Sequence, residues 1–352
     1  MSYGLLAFVG LGLVMALVLV LPFSVRWVEE ELETFLLAMG CLAVSISRLW
    51  TWHLVAEALS EPLKISFAVL LFGCVFRRFR SAIADAVSSI SVKLGLPIFS
   101  FLLVVALGLA SSVVTAIVAA LVLVEVISAL QLDRETELSL VILACYSIGL
   151  GAALTPIGEP LSTIATTRLA GPPHNADFFF LTKLLWPWLL SGMLILGALA
   201  ARKSGGGVVA RSKGLSQEAR EDTWSVSRRA LKVYVFVTAL VLLGHGLSPL
   251  VERWLVRIPT DALYWANISS AALDNATLAA AELSPSMDAD RIRAVLIALL
   301  ISGGMLVPGN IPNIISAEKL GIKSREWARA ALPLGLAMMT AYFLALRLAA
   351  SV

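Results

Sequence analysis

Leu154–Ile164 reads LTPIGEPLSTI and Leu306–Ser316 reads LVPGNIPNIIS. Each stretch interrupts a long apolar run with two prolines, a glycine and polar residues. Gly151 and Gly303, Pro156 and Pro308, Pro160 and Pro312, and Ala165 and Ala317 all lie 152 positions apart, so the chain carries an internal repeat. Helices broken at corresponding positions in two halves of a membrane protein point to a transporter's binding site. The freed backbone groups are tolerated at that depth only where they line a polar cavity.

The surrounding composition is that of a membrane protein. Of 352 residues, 59% are hydrophobic and only 14% charged, with a mean hydropathy of +0.89, against roughly 25% charged residues in soluble domains. The net charge of +3 is spread over loops and carries no nucleic-acid signature. Cys41, Cys74 and Cys145 sit in apolar runs without metal-ligand spacing and imply no disulfide framework. The first apolar run, Tyr3 to Val25, has no basic segment before it and exceeds the core of a signal peptide, so it reads as a retained span.

Runs of about 20 apolar residues place helices near 3–25, 33–50, 62–77, 137–169, 178–201, 230–250, 291–320 and 328–350, with 137–169 broken at Pro156 to Pro160 and 291–320 at Pro308 to Pro312. Residues 95–130, interrupted by GLASSVVT, and 261–283, containing SSAALDNAT, do not fit single crossings and read as re-entrant hairpins with polar tips. Basic clusters at Arg77, Arg78, Arg80 and Lys93, at Arg202 to Arg229, and at Lys319 to Arg329 belong on the cytoplasmic side. They share that side only if the first hairpin enters from the cytoplasm and the second from outside.

The predicted fold is therefore an all-α polytopic membrane protein of two inverted repeats, each with a re-entrant hairpin and a broken transmembrane helix. N-terminal helices fill 1–61, the first repeat 62–201, a flexible basic cytoplasmic linker 202–229 and the second repeat 230–352.

These paired loops resemble those of the ion transporter superfamily, which includes sodium/proton antiporters of the NhaD type, ArsB-type arsenite carriers and dicarboxylate/sodium symporters. LTPIGEPLSTI is particularly similar to a branch grouped with cation transporters, and the likeness covers roughly residues 62–350. It implies hairpin tips meeting broken helices near the midplane, and a dimer working by an elevator-like movement. Leu273-Asp274-Asn275-Ala276-Thr277 resembles the family's LDN-x-T tip. The first tip, Ser111 to Thr115, departs from that pattern by lacking an Asp or Asn, which counts against a second, symmetric cation site.

The chemistry follows from the residues themselves. A carboxylate at the bilayer centre costs at least ~2.5–3.5 kcal/mol and is normally functional or paired, which singles out Asp274 and Glu159. Burial disfavours the charged carboxylate and a bound cation favours it, so one site holds either H⁺ or Na⁺, as antiport requires. Thr155, Asn275, Thr277, Asn310 and Asn313, with unwound carbonyls near Gly158 and Gly309, offer neutral oxygens for a hard cation. Ser111, Ser112 and Thr115 are further candidates, with bonding back to their own helix as the alternative. Asp274 has helix capping as its alternative, and Glu159 has acceptance of backbone N–H groups. Glu125 reads as a pairing partner for its hairpin arm or a proton-path residue, and His245 as interfacial or a proton shuttle.

The expected function is secondary active transport, exchanging Na⁺ or Li⁺ for H⁺ in a prokaryotic-type inner membrane, with lipid and the ions as partners, a possible homodimer and no cofactor. A sodium-coupled carrier of dicarboxylates or oxyanions is the alternative, since helix N-termini at the breaks favour negative groups. A passive channel would use the same polar centre. An intramembrane enzyme is not expected: HExxH, GxSxG and nucleotide-binding glycine loops are missing, and His53, His174 and His245 lie far apart.

Overall fold

The computed structural model describes residues 5–25, 27–28, 31–205, 223–254, 259–273 and 275–350. All regular structure among them is helical, and five of the helices are long and apolar enough to cross a membrane. The protein is an all-α integral membrane protein.

The N-terminal helices are α1 (Leu5–Ser24), α2 (Leu32–Ser47) and α3 (Trp52–Leu94). The apolar run at 62–77 belongs to α3, a single helix of 43 residues, about 65 Å long. Falling hydropathy at Arg77 does not end it, because a helix continues wherever its backbone bonds continue, and 77–94 holds neither glycine nor proline. Gly95, with φ of 76°, ends it. Arg77, Arg78, Arg80 and Lys93 thus lie on a helix and not in a loop, and the boundary expected at 61/62 falls inside that helix.

Next come α4 (Leu96–Val114) and α5 (Ala116–Leu130), joined by Thr115 alone, then α6 (Arg134–Ala152), α7 (Pro160–Arg168) and α8 (Phe180–Ser204). After the linker, most of which lies outside the described residues, follow α9 (Thr223–Trp254), α10 (Thr260–Ala266), a 3-10 turn at Asn267–Ala271 and α11 (Asn275–Glu282). The chain closes with α12 (Ala289–Gly303), a 3-10 turn at Val307–Gly309, α13 (Ile311–Leu320) and α14 (Ser324–Ala350).

Helices α4 and α6 run parallel. Ser147 Oγ donates to Val104 O at 2.8 Å, and one turn further along both helices Gly151 lies against the Gly108 carbonyl. Because only three residues separate α5 from α6, α5 must return to the end from which α4 started. That end also holds Ser204, bonded to Ser100 at 2.8 Å, and Glu326, paired with Arg134 at 2.6 Å. It carries Arg202, Lys203, Lys323 and Arg325 and is the basic end of the molecule.

The second hairpin opens on the other end. There Asp261 pairs with Arg347 near the end of α14, and Met287 O bonds His174 Nε2 at 2.8 Å. Its arms are shorter than those of the first, α11 having 8 residues against 15 in α5. The packing crosses between halves: α5 lies on α13, and α11 lies on α7. A buried core formed largely by α5, α6 and α12 surrounds these pairs, while α2 and α3 pack on α9.

Candidate functional site

Two helix breaks and two hairpin tips meet inside this bundle. The first break spans 153–159 and the second 304–310. Pro160 and Pro312 fall in the first turns of α7 and α13, where the missing N–H has no helical partner to lose. They are helix starters here, and not part of the irregular segments in which the sequence reading placed them.

The two breaks share one pattern of hydrogen bonds. Gly158 N donates to Thr155 O at 3.1 Å and Gly309 N to Leu306 O at 3.3 Å. Ser162 Oγ donates to Ala152 O at 3.1 Å, and Asn313 Nδ2 to Gly303 O at 2.9 Å. A Cβ on Gly158 would sit 2.0 Å from Ala152 O, and one on Gly309 would sit 2.5 Å from Gly303 O. Glu159 and Asn310 are the extended residues preceding α7 and α13, both with φ of −156°. All these pairs lie 151 positions apart, one fewer than the spacing of the repeated glycines and prolines.

The tips dock on the breaks. Ala116 N donates to Gly158 O at 2.9 Å, and Thr155 Oγ1 donates to Ser112 O. Ser111 Oγ donates to Ile148 O at 2.9 Å, and Ser270 Oγ to Leu299 O at 3.3 Å. Gly108 O faces Gly151, as Asn267 O accepts from Ser302 Oγ at 2.6 Å. The hairpins thus correspond 159 positions apart, which aligns Thr115 with position 274 in the sequence. Thr115 adopts a φ of 79° and accepts from Val118 N at 3.4 Å, so it caps α5.

The breaks are also brought to each other. A Cβ on Gly149, one turn before the first break, would lie 2.9 Å from Asn310 Nδ2. Cys145 Sγ lies 3.4 Å from Ser316 Oγ, and Gly304 packs on Tyr146.

The candidate residues divide accordingly. Glu159 is 7% exposed and makes no capping bond to α7. Asn310 is 8% exposed and makes none to α13. Asn313 braces Gly303 O and Leu306 O, leaving its Oδ1 buried without a hydrogen-bond partner among the described residues. Asn275 is buried with Nδ2 in the same condition. Ser112 bonds back to Leu109 O at 2.7 Å, within its own helix. Asp274 lies outside the described residues, as does the side chain of Thr277. Glu125 is away from the tips, ion-paired with Lys319 where α5 packs on α13. His245 Nε2 lies 3.3 Å from Glu57 on α3. Among the described residues no group of three or more His, Cys, Asp or Glu is placed to hold a metal ion.

Sequence reading missed Ser162, Asn267, Ser270, Glu282 and Ser302. Ser270 lies within the quoted SSAALDNAT, but only the hairpin's register shows that Asn267 and Glu282 oppose each other across the tip. A family model described as "Protein of unknown function (DUF1646)" matches residues 8–349, which include both hairpins and both breaks. The chain belongs to that family. No curated protein matches the chain. The DUF1646 match extends through α1, α2 and α3 as well as the repeat-like halves, so the N-terminal helices are part of the family's common unit.

Proposed function

We propose that the protein is a secondary active transporter that exchanges Na⁺ or Li⁺ for H⁺, with its two halves acting as inverted repeats. The observation that carries this reading is the convergence of two hairpin tips and two helix breaks, far apart in sequence, around buried Glu159, Asn275, Asn310 and Asn313. Broken helices in a membrane bundle place backbone dipoles and unpaired carbonyls where an ion binds. Two hairpins opening on opposite ends, together with the crossed packing of α5 on α13 and α11 on α7, support the inverted relation. The resemblance to the ion transporter superfamily points the same way.

A cavity of about 290 Å³ lies among α2, α9 and α13, touching Glu33, Lys232, Val307, Ile314 and Lys323. It connects the basic end to the second break, as a cytoplasmic access route would. The carboxylates Glu159 and Asp274 select for cation over anion, and protonation of either competes with the cation.

Sodium-coupled anion transport is the second reading. It is favoured by one observation: the N-termini of α7 and α13 both begin at the breaks without side-chain caps, so their N–H groups offer partial positive charge. Purified protein in acid-loaded liposomes with an internal pH dye separates the two. With chloride as the only anion, added Na⁺ is expected to drive proton release, with an apparent Na⁺ affinity that rises with pH and levels off above the upper carboxyl pKa. Asp274→Asn should abolish that flux, because an amide keeps the shape without exchanging a proton. Protons that stay put, with Na⁺ uptake driven instead by a dicarboxylate or oxyanion gradient, would replace exchange with symport.

A further inference from the structure

The second hairpin carries a buried carboxylate outside the site just described. Glu282, at the end of α11, is 1% exposed, and Asn267, on the opposite arm, is fully buried. Asn267 Nδ2 donates to Glu282 Oε2 at 3.0 Å. The remaining oxygen of each side chain, Glu282 Oε1 and Asn267 Oδ1, is buried without a hydrogen-bond partner among the described residues. Two acceptors in one bonded pair are therefore left without donors among the described residues.

Among the described residues, charge compensation is missing as well. Among the described side chains, the elements packed on α11 bring Glu159 just before α7 and Arg168 on it, Arg228, Lys232 and His245 on α9, and Asp290, Arg291 and Arg293 on α12. Among the described residues, no ion pair reaches Glu282. An ionised carboxylate with one amide donor is costly at this depth, so the group either holds a proton or meets a cation.

The fold itself does not require polarity here. In the register of the two hairpins, Asn267 corresponds to Gly108 and Glu282 to Leu123, which is fully buried. The first hairpin closes with a glycine and a leucine where the second has an amide and a carboxylate. Asn275 and Glu282 are two helical turns apart on the buried face of α11, together with Leu278 and Ala279. Glu282 therefore lies between the tip and the end of the molecule opposite the basic one.

We infer that Glu282 and Asn267 form a second ion station, which takes either one proton or one alkali cation between the hairpin tip and the outer end. The exchange balances as Glu282–COOH plus Na⁺ giving Glu282–COO⁻·Na⁺ plus H⁺, with Asn267 Oδ1 as the neutral ligand. This inference rests on the cation-exchange reading for its place in transport, but binding at Glu282 is measurable without transport.

The test combines liposome flux with infrared difference spectroscopy of the protonated carboxyl stretch, on Na⁺ addition, for wild type, Glu282→Gln, Glu282→Asp and Glu282→Leu. Glu282→Gln is expected to lower the rate of Na⁺-driven proton release by at least ~10-fold, the lower scale on which weakened ligand shells lose metal. Wild type should show a Na⁺-sensitive carboxyl band that Glu282→Gln removes and Glu282→Asp shifts in position. Glu282→Leu, which restores the first hairpin's residue, should remain folded and lose the same band. If the wild type exchanges Na⁺ for H⁺ and Glu282→Gln matches it in both flux and band, the second station is wrong and the exchange reading stands. If no cation moves protons in wild type but the band still responds to Na⁺ through Glu282, exchange fails and the station survives. Should the Glu282→Gln protein not fold, a wild-type band insensitive to Na⁺, or one unshifted by Glu282→Asp, overturns the inference.

Discussion

Adding one methyl group at the first break tests whether its geometry is as tight as the hydrogen bonds indicate. In Gly158→Ala the new Cβ would lie 2.0 Å from Ala152 O and 2.6 Å from Ala152 C, whereas real Cβ atoms do not approach within 3.0 Å. Both obstacles are backbone, so no side chain can swing aside. The loop must therefore move outward by roughly 1 Å, a misplacement of the kind that can cost ~10²-fold in activity. That shift strains the Ser162 Oγ to Ala152 O bond at 3.1 Å and the Ala116 N to Gly158 O bond at 2.9 Å, which docks the first tip. Two buried hydrogen bonds at ~0.5–1.5 kcal/mol each, with ~1–3 kcal/mol of overpacking, give a destabilisation of about 2–6 kcal/mol. Thermal unfolding in detergent measures the stability, and Na⁺-driven flux in liposomes measures the site. Gly171→Ala is the control, because nothing lies within 4 Å of its Cβ position, and it should be silent in both assays. A Gly158→Ala protein with wild-type melting and wild-type flux would refute the close approach of the break to the end of α6.

Two further substitutions probe the scaffold. Glu125→Gln should destabilise by ~3–5 kcal/mol, because it uncouples a charge pair whose side chains are only 8% and 11% exposed. The double variant Glu125→Leu, Lys319→Met should recover much of that loss in melting temperature, and strictly additive effects would show that the pair does not join α5 to α13. Asp133 caps α6 by accepting from Thr136 N at 3.1 Å, and the Thr136 side chain foremost, then that backbone bond, hold its carboxyl below the ordinary value of 3.8. The cap's contribution is therefore full above pH 3.8 and fades as pH falls through the lower folded value. Asp133→Ala should lose ~1 kcal/mol at neutral pH and match the wild type in strong acid, whereas a deficit independent of pH would contradict the assignment.

The membrane character, the two breaks and the two hairpins were legible because each has a local cause. Apolar runs need only be counted, and Pro156, Pro160, Pro308 and Pro312 stop or start helices by their own covalent structure. The length of α3 was not legible, since a drop in hydropathy at Arg77 resembles the end of a span although the backbone bonds run on to Leu94. The hydrogen-bonded pairs of the two breaks lie one residue closer in sequence than the matching glycines and prolines suggest. Prolines are accepted anywhere in a helix's first turn, so their spacing tolerates a slip that hydrogen bonds at Gly158 and Gly309 do not.

By itself, the sequence determined that this chain is a helical membrane protein with two helices interrupted at related positions, and it named Glu159, Asp274, Thr155, Asn275, Thr277, Asn310 and Asn313 as candidate polar groups at those interruptions and at the second hairpin tip. Only the tertiary structure decided which groups face one another. It set Asn310 against Gly149, assigned Glu125 to Lys319 away from the tips, and joined Asn267 to Glu282 across a hairpin. Composition and periodicity report the environment a residue needs, whereas partners separated by many residues are chosen by the packing angle and register of whole helices. A buried carboxylate such as Glu282 therefore becomes visible as a candidate only when its neighbours in space are known, here a single amide donor among the described residues.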